Sequence, residues 1–104
     1  MRKAQRPAGG VSKEGQWELD LYVAGHTARS IAAFQNLQRI CREHVIVGCN
    51  IQIIDVLQSP QLAVTENIVA LPMLVRKVPG DRPRRMIGDL SDTQKVLRAL
   101  GLGN

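Results

Sequence analysis

Aromatic residues are almost missing from this chain: Trp17, Tyr22 and Phe34 are the only ones among 104 residues. Three scattered rings cannot form a platform for stacking bases, which argues against nucleic acid as the partner. Cysteine is equally scarce. Cys41 and Cys49 are too few for a disulfide scaffold and fit a reducing compartment, so a cytoplasmic protein is expected. No apolar run approaches the ~20 residues that cross a bilayer, and "MRKAQRPAGGVSKEG" lacks the apolar segment of a secretory signal. The length suits one domain with a single modest core.

Charge is present but uneven. The net +5 is concentrated in residues 1–16, where Arg2, Lys3, Arg6 and Lys13 face only Glu14. That stretch mixes Gly, Pro, Ala and charge without a period, so it reads as a disordered basic arm, with the domain spanning 17–104. "WELDLYVA" alternates, sending Trp17, Leu19, Leu21 and Val23 one way and Glu18, Asp20 and Tyr22 the other, which predicts a half-buried strand. Gly25 ends it and Thr27 can cap a helix over 28–44, with Ile31, Phe34, Leu37, Ile40 and Cys41 as its apolar stripe. "NIQIIDV" predicts a second strand over 50–57, parallel to the first in a βαβ unit.

Ser59 and Pro60 then read as the cap and first residue of a short helix ending near Asn67. "MLVRKV" and "RRMIG" flank "PGDRP", whose Pro79 and Gly80 suit the turn of an antiparallel hairpin. Ser91 followed by Gln94 reads as a capping box opening a last helix, with Val96, Leu97 and Leu100 as its stripe and Gly101 as its stop. The order β-α-β-α-β-β-α around a mixed four-stranded sheet resembles the α/β thioredoxin-like fold. Pro72, just before the third strand, stands where that fold places a cis-proline. Asp20 sits awkwardly in the central strand and needs a polar partner.

Chemistry is hard to find in this frame. A thiol enzyme needs its nucleophile at the helix N-terminus after strand one, and "AGHTAR" contains no sulfur. Cys41 and Cys49 read as small buried hydrophobes, and with His44 they do not reach the four ligands of a structural zinc site. His26 has no nucleophile or carboxylate beside it in sequence, and one glycine does not make a phosphate loop. No catalytic residue, metal or cofactor is therefore assigned. Arg76, Lys77, Arg82, Arg84 and Arg85 against Asp81 form a basic hairpin end, either simply solvated or a patch for an acidic partner.

The stretches "LYVAG", "IIDVLQSPQLA", "ALPML" and "RRMIGDLSDTQKVL" resemble, in order and spacing, those of the KaiB family of clock proteins over residues 17 to 100. The resemblance implies a non-enzymatic adaptor that binds a KaiC-type ATPase ring, displaces a sensor histidine kinase and helps sequester KaiA. It also implies two states: a monomeric thioredoxin-like form and a tetrameric form with its C-terminal half rearranged. Contact positions implied in this way are Arg29, Ala32, Gln35 and Arg39 on helix one, Asn50 and Gln52 on strand two, and Arg84 and Arg85. Pro72, Gly80, Gly88 and Asp89 are the implied turn or switch positions. Relatives often carry Lys at the places of Asp20, Gln52 and Asn67, and Arg at the place of Ala32. Arg98 and Ala99 replace a β-branched residue and a glycine common in relatives, which favours helix there and hence the thioredoxin-like monomer. Two other readings share these features: an adaptor for a different regulator such as a stress-response kinase, and a basic binder of nucleic acid or anionic surfaces.

Overall fold

A computed structural model describes residues 17–45 and 48–102. The basic arm expected over residues 1–16 lies outside the described residues. Seven elements follow in the expected order: β1 (Trp17–Val23), α1 (Ala28–His44), β2 (Cys49–Asp55), α2 (Leu62–Thr65), β3 (Met73–Lys77), β4 (Arg84–Ile87) and α3 (Thr93–Ala99). The sheet order is β2-β1-β3-β4, with β1 parallel to β2 and antiparallel to β3, and β3 antiparallel to β4. This is the mixed four-stranded sheet anticipated above. The Leu71–Pro72 peptide is cis.

β1 is central, and that changes its burial. Its first face sends Leu19, Leu21 and Val23 against Ala33, Leu37 and Ile40 of α1 and Val96, Leu97 and Leu100 at α3. The second face is not solvated, as the alternation suggested, but buried as well: Tyr22 packs with Met73, Val75 and Val56 under Leu62, Ile68 and Leu71. A strand flanked on both edges and covered on both faces hides its polar positions too. Asp20 is only 2% exposed, and Lys77 from the neighbouring strand brings its Nζ to 3.2 Å from the carboxylate. Beside it, Asn50 donates to the buried Glu18 carboxylate at 3.2 Å.

Several boundaries differ from the expectation for local reasons. β2 stops at Asp55 because that side chain accepts from the Leu57 backbone N–H at 2.9 Å and turns the chain. Ser59 is not a helix cap; its carbonyl accepts from Leu62 N–H in a turn, and α2 begins only after Gln61. On α1 the stripe is shifted: Ser30 and Ala33 are buried, whereas Ile31 is 48% exposed. α3 is capped by Asp92, which accepts from Lys95 N–H at 3.2 Å, rather than by Ser91, whose N–H donates to Asp89. Gly101, at φ 85°, then reverses the chain so that Leu102 N–H donates to Leu97 carbonyl at 2.7 Å, a glycine stop that satisfies the helix end.

Arg76 joins these parts. It is 5% exposed, lies with its guanidinium 4.8 Å from the centre of the Trp17 ring, donates to the Leu100 carbonyl at 3.1 Å and pairs with Asp81 in the hairpin turn. One side chain thus ties β1, β3, the turn and the end of α3. Loss of its bond to a buried carbonyl costs about 1–3 kcal/mol, and the ring contact adds to it. Arg76→Ala is accordingly expected to lower unfolding stability by about 2–4 kcal/mol in a urea titration; a loss below the scatter of the titration would mean the clamp is idle.

Two further outcomes follow from the same end of the molecule. The Arg76 guanidinium, helped by the Arg82 backbone N–H, holds the Asp81 carboxyl below the usual carboxylate range. A carboxyl depressed by folding contributes stability above about pH 4 that is lost as pH falls through its folded value. Asp81→Asn should therefore weaken the protein at pH 7 and flatten the acid limb of its stability curve, read as urea midpoints between pH 7 and pH 3. Ala99→Gly, at the last turn of α3, is expected to cost about 0.5–1 kcal/mol with an unchanged urea slope. No shift of the midpoint would remove helix preference as a reason for the state observed.

Candidate functional site

The turn between β1 and α1 is shaped by β2. Gly25 takes φ 71°, and its N–H donates to Asp55 Oδ1 at 3.1 Å, so one carboxylate holds both this turn and the end of β2. A side chain at Gly25 would be strained by that backbone angle and would meet Leu57 at 3.4 Å. Thr27 then caps α1: its Oγ1 accepts from Ser30 N–H at 3.0 Å and donates to Ser30 Oγ at 2.9 Å. The result is a fixed turn without a nucleophile. His26 stands exposed at its tip.

Next to the turn runs a groove of about 480 Å³ between α1 and β2, lined among others by Val23, Ile31, Phe34, Gln35, Ile53 and Asp55. Its rim is apolar: Ile31 is 48% and Ile53 43% exposed, and Leu57 at its end is 66% exposed. β2 pairs only with β1, so its outer edge has no strand partner among the described residues. An open strand edge beside an apolar groove can take an extended segment through main-chain bonds while side chains enter the groove. Helical spacing had placed Ile31 in the core, so this rim was missed; the clue was that the chain after Thr27 offers more apolar positions than one buried face needs.

The implied contact residues do not form a single patch. Gln35 lines the groove, Ala32 is half-buried, and Arg29 is exposed near Asp89, whose carboxyl is held low chiefly by Ser91 and partly by Arg29. Arg39 leans to the other flank, donating to Thr93 Oγ1 at 3.1 Å and to Glu43 at 3.4 Å. Asn36 ties the same flank by donating to Asp89 carbonyl at 2.9 Å. In β2 the odd positions face α1, which places Asn50 and Gln52 on the opposite sheet face, beside Glu18 and Asp20. Gly80 at φ 83° follows Pro79 in the hairpin turn, and Gly88 N–H donates to Pro72 carbonyl at 2.9 Å where β4 ends.

Of the basic hairpin only Arg76 is buried; Lys77, Arg82, Arg84 and Arg85 are exposed, though most of them have partners in the fold. Arg76 is buried, Lys77 reaches Asp20, and Arg84 lies 4.0 Å from Asp81 and over Gly101. Arg85 donates to the carbonyls of Glu66 and Asn67 at 2.9 and 3.3 Å, fastening the end of α2 to β4. Arg76 and Arg85 thus brace the fold, while the exposed cations of the hairpin leave it basic at the surface. Among the described residues no three His, Cys, Asp or Glu side chains come together as a metal site, and no helix is long and apolar enough to cross a membrane.

The two cysteines are half-buried rather than fully enclosed, and neither is in a disulfide. Both line one open cavity between the end of α1 and the start of β2. Hydrogen bonding with Cys49, together with burial, pushes the Cys41 thiol up, while hydrogen bonding with Cys41 pulls Cys49 below the usual thiol value.

Comparison with known proteins accords with this geometry. The KaiB domain model matches residues 20–102. "Circadian clock protein KaiB3" of Synechocystis sp. is 43% identical over 84 residues, 81% of this chain and 81% of that protein. "Circadian clock oscillator protein KaiB" of Synechococcus elongatus is 44% identical over 92 residues, 88% of this chain and 89% of that one. Among solved structures, the N-terminal domain of Synechococcus elongatus SasA superposes with a TM-score of 0.66 at 27% identity, over 83% of this chain and 84% of that domain. Chloroplastic thioredoxin z matches with the same TM-score at 20% identity, over 86% and 80%, which establishes the thioredoxin-like fold alone. A thioredoxin-like sheet whose first turn holds no thiol, matched along most of its length by such relatives, belongs to the KaiB family.

Proposed function

We propose that this chain is a non-enzymatic clock-type adaptor that docks on a KaiC-type ATPase ring through the α1–β2 groove and the open edge of β2. The observation that carries the reading is the pairing of an unoccupied strand edge with an exposed apolar rim at Ile31, Ile53 and Leu57, beside a turn rigid enough to hold its shape. The names of the relatives, all circadian clock proteins, support the clock setting. Gln35 lines the α1 side of the contact, Ala32 is half-buried on the same helix, and Arg29 and Arg39 stand on its other flank, toward Asp89 and Thr93. Asn50, Gln52, Arg84 and Arg85 lie elsewhere on the surface and fit a second partner in a larger assembly, a KaiA-type protein or a sensor histidine kinase that competes for the ring.

In this reading the protein acts in the cytoplasm as a monomer in its thioredoxin-like state, with the tetramer as the competing form. Turnover plays no part: the adaptor works by occupying a surface. An interface of this kind concentrates its energy in a few buried anchors, so Ile53→Asp, at the middle of the open edge, should weaken capture of a purified KaiC-type ring by about tenfold or more. Arg29→Glu should weaken it less. Both variants are expected to unfold at the wild-type temperature, because the two side chains are exposed. Wild-type affinity for both variants would place the contact on another surface, and a ring that ignores the unaltered protein would overturn the partner itself.

A further inference from the structure

At the end of the α1–β2 seam remote from the Gly25 turn, two thiols line one cavity. Cys41 comes from the last turn of α1 and Cys49 opens β2, with residues 42–48 between them. Both line an open cavity of about 440 Å³ together with Gln38, Arg42, Val45 and Ile51, so small solutes can reach them. Hydrogen bonding between the two side chains pushes the Cys41 thiol up and pulls the Cys49 thiol down.

The two sulfurs are not equivalent. Cys41 lies at the carbonyl end of a helix, where negative charge is disfavoured, and it donates its proton. Cys49 accepts that proton, is the more acidic thiol, and shares its cavity with the Arg42 cation. A thiolate attacker beside a protonated resolving thiol is the arrangement that oxidises stepwise to a disulfide.

We propose that Cys41 and Cys49 are a redox-modification site that closes to a reversible intrachain disulfide when the protein meets a hydroperoxide. In the first step the Cys49 thiolate attacks one peroxide oxygen; an S–O bond forms, the O–O bond breaks, and hydroxide leaves to take up the proton that Cys49 had released. Sulfur is oxidised and peroxide reduced by the same electron pair. Cys41 sulfur then attacks Cys49 Sγ; the S–S bond forms, the S–O bond breaks, and the departing hydroxide carries off the Cys41 proton as water. A thiol reductant reverses the change by exchange. The disulfide staples the end of α1 to the start of β2, at the base of the seam whose other end is the groove. The inference rests on the thiol geometry and is independent of the docking partner.

Intact mass spectrometry of the full-length protein after stoichiometric hydrogen peroxide tests it. The expected result is a loss of two hydrogen atoms, restored by dithiothreitol, with a non-reduced digest linking the peptides of Cys41 and Cys49. Cys41→Ser should then accumulate a dimedone-reactive sulfenic acid at Cys49, while Cys49→Ser should leave Cys41 unreactive under the same dose. Peroxide that leaves the wild-type mass unchanged, adds oxygen without linking the two peptides, or yields only interchain dimers would overturn the proposal. Because the wild-type mass shift needs no variant, misfolding of either serine variant leaves the test decisive.

Discussion

The parallel register of β1 on β2 governs the functional half of this molecule. Trp17 sits opposite Cys49 at one end and Val23 opposite Asp55 at the other. The second pair puts a carboxylate beneath the Gly25 turn; the first brings the start of β2 beside the end of α1, where Cys41 waits. A slip of one residue would reverse every β2 side chain, moving Asn50 and Gln52 against α1 and taking Ile51 and Ile53 out of the groove. Turn, groove and thiol pair are therefore three consequences of one alignment. What fixes it is the polar and apolar alternation shared by the two strands, with Glu18 bonded to Asn50 on one face and Leu19 and Ile51 together on the other.

Central position in the sheet brings a cost that the fold meets with specific partners. A carboxylate in a fully covered strand is unfavourable unless something charged or polar reaches it. Lys77 does so for Asp20 from the edge of the antiparallel neighbour, keeping part of its own chain in solvent. The same hairpin supplies Arg76 to the α3 carbonyl end and Arg85 to the α2 carbonyl end. Cations near helix C-termini are favoured by the partial negative charge gathered there, and both guanidiniums make direct bonds to carbonyls at those ends. Arg76, Lys77 and Arg85 of this hairpin are thus explained by what they hold together.

Those contacts also mark how far the sequence could be read. α1 was legible to the residue because its start signal, Thr27 after Gly25, is local, and the hairpin because Pro79 and Gly80 admit one kind of turn. Element order followed from the same short-range chemistry, whereas the place of Pro72 came from the resemblance to the thioredoxin-like fold. Ser59 and Ser91 misled because a serine competes equally well for a turn, and only the surrounding structure shows that Asp92 takes the cap. Ile31 and Arg76 misled for a deeper reason. Whether an isoleucine on a helix is covered, or a guanidinium solvated, depends on elements tens of residues away, and periodicity and charge counts carry no record of them.

The C-terminal helix shows how local and distant preferences combine. Asp92 begins it, Gly101 and Leu102 end it, and Arg76 bonds its last carbonyl, so the segment after Asp89 is restrained at both ends. Restraint there reaches α1, since Asn36 and Arg39 bond to Asp89 and Thr93 across the helix pair. One flank of α1 is consequently fixed by α3 while the other borders the open groove. A partner docking there as proposed would meet a surface whose backbone and cap are already in place, with little ordering entropy to overcome. This agreement between sequence preference and tertiary contact is what a single resting state requires, and it makes the α1–β2 face a preformed one.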